Sequence, residues 1–213
     1  MKKIFGIEKY KFYLSDITTS IVSNDENTKN KIVSELSNNG YFVIDSKTIE
    51  LSITVKRFLE DFNFDMKLIP YYELTNLLSK EYSSLNFETK IFLKIITLIN
   101  KVKSKIVFDD VLTFLSNNQK YLVLKYLKEN DISFFNFTSD VEEVLFTKYL
   151  IFLSRKGVLL EGSTKSVLNE EKIIKHNGFS LPVIVDLSHQ LMNYGILDKE
   201  YYSVDRLVSE LWK

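Results

Sequence analysis

At 213 residues and 45% hydrophobic content, the chain is long enough to bury a full core as one domain, or as one domain with a small appendage. Lysine plus arginine and aspartate plus glutamate stand at 28 each, so no net field draws the chain to nucleic acid or anionic lipid, and charge acts locally. It has no cysteine and only two histidines, His176 and His189; this excludes disulfides, thiol nucleophiles and most structural metal sites, and leaves magnesium on carboxylates or phosphates as the metal to expect.

In chain order, the start Met1-Lys2-Lys3-Ile4 is soon broken by Glu8, Lys9 and Lys11. No apolar run approaches the roughly 18 residues that a membrane-spanning helix needs, so a soluble, unexported chain is expected. Ile17 to Val22 is a β-rich run. The polar loop Ser23 to Thr28 follows, then a helix from about Lys29 to Leu36, ended by Asn38-Asn39-Gly40. A strand-to-helix loop of this kind is where α/β folds hold phosphates. Between Leu51 and Asn100 the pattern is helical, with Pro70 separating one helix from the next and Ser83-Ser84 capping a long helix from about Asn86 to Lys101.

Ile106-Val107-Phe108 reads as a buried strand delivering two carboxylates, Asp109 and Asp110, at its C-terminal end. Gln119 to Lys128 has helical spacing, closed by Asn130-Asp131, and Ile132 to Phe137 is a second apolar run. Thr138-Ser139-Asp140 caps a helix beginning at Val141 to Phe146, with acids in its first turn. Tyr149 to Leu153 and Val158 to Glu161 form a hairpin about Arg155-Lys156-Gly157. Strand, helix, strand, helix, strand implies a parallel sheet wrapped by helices, an α/β fold. From Gly178 a small helical pair follows, Pro182 to Met192 and Val204 to Leu211, divided by Gly195. Taken singly, Asp109-Asp110 reads as a solvated turn, Lys29 as an exposed helix lysine, the two histidines as surface or core imidazoles, and Phe134, Phe135 and Phe137 as strand core.

Taken together these segments resemble one family. Ile106 to Ser116, IVFDDVLTFLS, is similar to the Walker B strand and following loop of an ATP-binding-cassette (ABC) ATPase, where four apolar residues lead into DEPT and then SxLD. Leu85, Asn86, Phe87, Glu88 and Thr89 fall where the family carries its LSGGQ signature. Asn136 to Glu143 resembles the segment that reads THD before a helix with paired acids, and Arg155 to Gly162 resembles the KGxIxxxG hairpin. The tail, from Gly178-Phe179-Ser180-Leu181-Pro182 to the helix at Val204, is similar to that of energy-coupling-factor (ECF) ATPases. Ser23 to Asn30, SNDENTKN, lies where the phosphate loop GxxxxGK[ST] should be.

The resemblance implies a P-loop NTPase-like ABC ATPase fold over 1–175, with a reduced helical subdomain at about 54–100, and a helical dimerisation-type tail over 176–213. It places Lys29 at the phosphate-loop lysine, with Ser23 and Thr28 at glycine positions and Asn30 at the hydroxyl. Asp109 stands at the magnesium-organising aspartate, Asp110 at the catalytic glutamate and Ser139 at the histidine that senses the γ-phosphate. ATP and magnesium are the implied cofactors. The implied partners are an intact ABC ATPase paralogue, as a hetero- or homodimer, and a transmembrane coupling protein on the inner face of the cell membrane; no nucleic acid is implied.

Departures from the family pattern weaken that chemistry. Glycines are needed so that backbone N–H groups can turn to the phosphates, and Ser23 to Asn30 has none, while Asp25 and Glu26 repel a triphosphate. Asp110 is a methylene shorter than glutamate, and a displacement of about 1 Å can cost on the order of a hundredfold in rate. No glutamine lies in the Q-loop region, and the distance from Lys29 to Leu85 is shorter than the family's. The expectation is a degenerate subunit of an ECF-type importer with weak or no hydrolysis at its own site. Two alternatives stay open: an active ABC ATPase driving vitamin or metal uptake, and a structural or regulatory module outside transport.

Overall fold

The computed structural model describes residues 3–7, 10–14, 17–102 and 105–212. Met1, Lys2, Glu8 and Lys9, on which the expectation about the N-terminal stretch partly rests, lie outside them. The strands are β1 (Lys3–Ile7), β2 (Tyr10–Leu14), β3 (Thr19–Ser23), β4 (Phe42–Ile44), β5 (Ile106–Asp109), β6 (Phe134–Phe137), β7 (Tyr149–Ser154) and β8 (Gly157–Ser163). The α-helices are α1 (Glu26–Asn38), α2 (Val55–Asp61), α3 (Phe87–Ile99), α4 (Asn117–Glu129), α5 (Thr164–Leu168), α6 (Glu171–His176), α7 (Val183–Asn193) and α8 (Val204–Leu211). The chain divides into two units, residues 1–28 with 138–213, and residues 29–137.

In the unit of residues 29–137, β4, β5 and β6 are parallel, with Ile44 opposite Phe108, Ile106 opposite Phe134 and Asp109 opposite Phe137. β5 is the middle strand of the three, and Ile106, Val107 and Phe108 have no exposed surface; a strand covered on both faces is apolar at every position rather than at alternate ones. α3 starts at Asn86, whose side chain accepts the Thr89 amide at 2.9 Å. It buries Ile91, Phe92, Leu93, Ile95, Ile96 and Ile99, a face broad enough to anchor the helix despite its β-branched content. α4 opens on a capping box between Ser116 and Gln119, which satisfies two of the amides that a helix start leaves open.

Two sequence expectations change here. The stretch from Leu51 to Asn100 is helical only in α2 and α3; between them lie single 3₁₀ turns at Met66–Leu68, Thr75–Leu77 and Tyr82–Ser84. Asn63 and Glu73 take positive φ of 51° and 58°, which no helix tolerates in its interior. Tyr71 and Tyr72 pin these turns: the Tyr71 hydroxyl donates to Glu129 at 2.9 Å, and both rings pack on Tyr126 of α4. The strand β4 was absent from the sequence reading. It is three residues long, and its first amide donates to Lys105 O at 2.7 Å, so pairing with its neighbour defines it.

In the other unit, β3 and β7 are parallel and β7 turns back into β8 through a register shift at Phe152/Leu153; β1 and β2 form an antiparallel hairpin. Val22, Leu150, Phe152, Val167, Leu168, Ile174, Phe179, Val185 and Leu207 make its core, with Phe152 and Phe179 in ring contact at 4.8 Å. The tail residues beyond 176 therefore share a core with β3 and β7. Val141–Phe146 is a 3₁₀ helix rather than the start of an α-helix, although Asp140 does cap it, accepting the Glu142 amide at 3.0 Å. Thr147 ends it, its hydroxyl donating to Val144 O at 3.0 Å and lying within hydrogen-bond distance of Ser20 Oγ at 2.9 Å. Among the described residues no helix is long and apolar enough to cross a membrane.

Candidate functional site

β5 ends where its apolar run meets two aspartates. The Asp110 amide donates to Phe137 O at 2.8 Å, so β5–β6 pairing runs one residue beyond the strand, and Asp110 then turns the chain with φ of 54°. Aspartate occupies this left-handed region more readily than most side chains. Both carboxylates meet the same cation: Lys29 Nζ lies 3.2 Å from Asp109 Oδ1 and 3.8 Å from Asp110 Oδ2. The three side chains are 14%, 20% and 29% exposed respectively, so the pairing is partly shielded from solvent and stronger than a surface ion pair. The structure thus brings together three of the residues that the resemblance placed in one site.

The turn after β3 is built differently. The loop expected from Ser23 to Thr28 shrinks to Asn24 and Asp25, because α1 begins at Glu26, a turn earlier than the sequence suggested. The cause is Asp25. Its Oδ2 accepts the Thr28 amide at 3.2 Å and the Thr28 hydroxyl at 2.6 Å, which is N-cap geometry and starts a helix there. Ser23 Oγ accepts the Asp25 amide at 3.2 Å and donates to Asp25 O at 3.1 Å. Arg155, from the β7–β8 turn, donates to Asp25 Oδ1 at 3.2 Å. The hydrogen bond from the Thr28 hydroxyl, helped by its amide and by Arg155, holds the Asp25 carboxyl below its ordinary value of 3.8. Ser23 and Thr28 are thus together, but they serve Asp25. Arg155 was missed as a partner of this turn, since nothing local in the sequence joins two residues so far apart.

The remaining candidates are scattered. Asn30 is exposed on α1, and Ser139 is exposed in the turn after β6. Of the signature-like residues, Leu85 closes the Tyr82–Ser84 turn, and Asn86 and Thr89 form the α3 cap. Glu88 lies in the first turn of α3, and Phe87 is 45% exposed with its ring edge-on to Phe114 at 5.1 Å. Phe114, itself 41% exposed, is a contact the sequence reading did not name.

A triphosphate with magnesium, implied by the resemblance, does not fit these residues as they stand. The amides of Asp25 and Thr28, which a phosphate would need, are engaged by Ser23 and Asp25 side chains. A carboxylate stands at the positive end of α1, where an anion would bind. Asp109, the implied magnesium ligand, faces the Lys29 ammonium.

The fold is that of ATP-binding cassette ATPase domains. cbiO1 of Clostridium perfringens, described as part of the ABC transporter complex cbiONQ, superposes with a TM-score of 0.59 at 15% identity, over 89% of this chain and 96% of that one. Among curated sequences the chain is similar to ATP-binding proteins of energy-coupling factor transporters. EcfA1 of Lactobacillus gasseri is 26% identical over 111 residues, 50% of this chain and 39% of that protein. EcfA1 of Mycoplasmopsis synoviae is 25% identical over 154 residues, 69% of this chain and 56% of that protein. The chain therefore covers between 39% and 56% of the length of these two relatives. No family model matches it.

Proposed function

We propose that the chain is a degenerate ATP-binding-cassette subunit of an ECF-type importer, paired with an intact ATPase and a transmembrane coupling subunit on the inner face of the membrane. The carrying observation is the approach of Lys29 to Asp109 and Asp110 at the end of a parallel strand in a chain with the cassette fold. The lysine and the aspartates lie in reach of one another, while the segment Ser23 to Asn30 around the lysine holds no glycine. In a cassette pair, one composite site uses this chain's lysine and the partner's signature, and the other uses the reverse. Turnover then falls to the site whose nucleotide half belongs to the partner, and this chain supplies shape and interface. Copurification with a full-length ATPase and a transmembrane protein is the expected result; isolation as a lone monomer from its own host would sink the proposal.

The same lysine–aspartate group supports a second reading, an ATPase with unusual loops. MgATP binding by the purified chain alone, abolished in Lys29→Ala and accompanied by phosphate release, would replace the first reading with this one.

A further inference from the structure

We propose that Asp25 is a tethered anion that occupies the position of a nucleotide phosphate at the start of α1, so that this cassette is shut by its own carboxylate. The inference rests on reading the first turn of α1 as the nucleotide side of the chain. It adds to that reading a cause, and with it a way to undo the closure.

The geometry carries the argument. A phosphate at a helix start is held by amides of the first turn, by a hydroxyl, and by a cation from outside the helix. Asp25 has one of each: the Thr28 amide at 3.2 Å, the Thr28 hydroxyl at 2.6 Å and Arg155 Nε at 3.2 Å. An ordinary N-cap needs only the amide; the hydroxyl and the arginine, the latter from the β7–β8 turn, complete an oxyanion's donor set. Ser23 then fixes the residue from the other side, accepting its amide and donating to its carbonyl. A phosphate arriving here meets spent donors and a negative charge. The carboxylate is covalently attached, so it competes as an intramolecular ligand at high effective concentration.

Two substitutions separate charge from backbone. Asp25→Asn keeps an N-cap acceptor of equal rank, so α1 should form as before, but it removes the charge. Asp25→Gly removes the side chain as well and restores the backbone freedom that phosphate loops rely on. Binding of MgATP, and of inorganic tripolyphosphate as a base-free probe, is measured by calorimetry on the full chain, with circular dichroism confirming the fold. Asp25→Asn is expected to tighten binding of both probes by about tenfold, as expected from removing one close like-charge contact or more, and Asp25→Gly by at least as much. Adding Lys29→Met to Asp25→Asn should reverse the gain.

Wild-type binding that depends on Lys29 but is unchanged by both Asp25 substitutions overturns the inference and leaves the nucleotide-side reading intact. A gain that survives Lys29→Met also overturns it, because the charge would then act elsewhere. No binding by wild type, Asp25→Asn or Asp25→Gly overturns both the inference and the reading of α1 as the nucleotide side.

Discussion

The end of β5 and the turn after β3 each set aspartate at the C-terminal end of a parallel strand, and the two places use it in opposite ways. Asp109 and Asp110 reach out to a lysine that a different element delivers; Asp25 turns back onto the helix that follows it. The first arrangement needs only that a buried strand stop at a polar residue, which any sequence can supply. The second should have been an open loop, and an open loop at a helix start needs residues without a Cβ. Where glycine is missing and aspartate is present, capping wins and the helix begins early.

The comparison can be broken hardest at β5. Phe108 is fully buried and edge-on to Phe134 at 5.3 Å, so Phe108→Ala should cost about 3–5 kcal/mol in urea unfolding. A loss of under ~1 kcal/mol would mean that the strand does not hold its carboxylates through packing. Next is Lys29. Lys29→Met leaves two partly buried carboxylates without their shared cation and should cost roughly 1–3 kcal/mol. Adding Asp109→Asn should recover part of that loss, and an additive double mutant would rule out the coupling.

Asp110 gives a smaller effect. Because its φ is positive, Asp110→Ala should be less stable than Asp110→Asn by about 1 kcal/mol, although both lose the charge. Equal stability of the two would show that the turn is not strained for ordinary side chains.

The smallest changes concern Asp25 and Arg155. Arg155 is 83% exposed in this pair, so Arg155→Gln should change stability by about 0.5 kcal/mol or less. It should nonetheless raise the Asp25 carboxyl part of the way back toward 3.8, measured by NMR titration of the carboxyl carbon. Since folding lowers this pKa, its contribution to stability is present above the unfolded value of 3.8 and is lost as pH falls through the folded value. Asp25→Asn should therefore flatten the acid limb of the stability curve below about pH 4, and an unchanged acid limb would show that the carboxylate is not held.

What could be read in advance follows the range of the forces involved. β5 and β7 were legible because buried apolar runs mark themselves, β8 because a turn at Arg155-Lys156-Gly157 precedes it, and α4, α7 and α8 because periodicity is local; Val204–Leu211 falls on the expected bounds. The α/β sheet was legible through the order of these segments, and the cassette fold through the resemblance their motifs carry. β4 was not, having three residues and a Phe42 that is 39% exposed, and α5 and α6 are too short for a periodic signal. At the site, the resemblance placed Lys29, Asp109 and Asp110 in one group and marked Asp25 as a misfit carboxylate.

By itself, then, the sequence determined which residues could carry charge at each strand end and that glycines were missing beside Lys29, because residue type and local propensity are properties of the chain alone. Only the tertiary structure decided that Lys29 is held by Asp109 and Asp110 and that Arg155 reaches Asp25. Which cation meets which carboxylate depends on distances of a few ångströms between distant parts of the chain, and Coulombic attraction of that range is set by packing, not by position in the sequence.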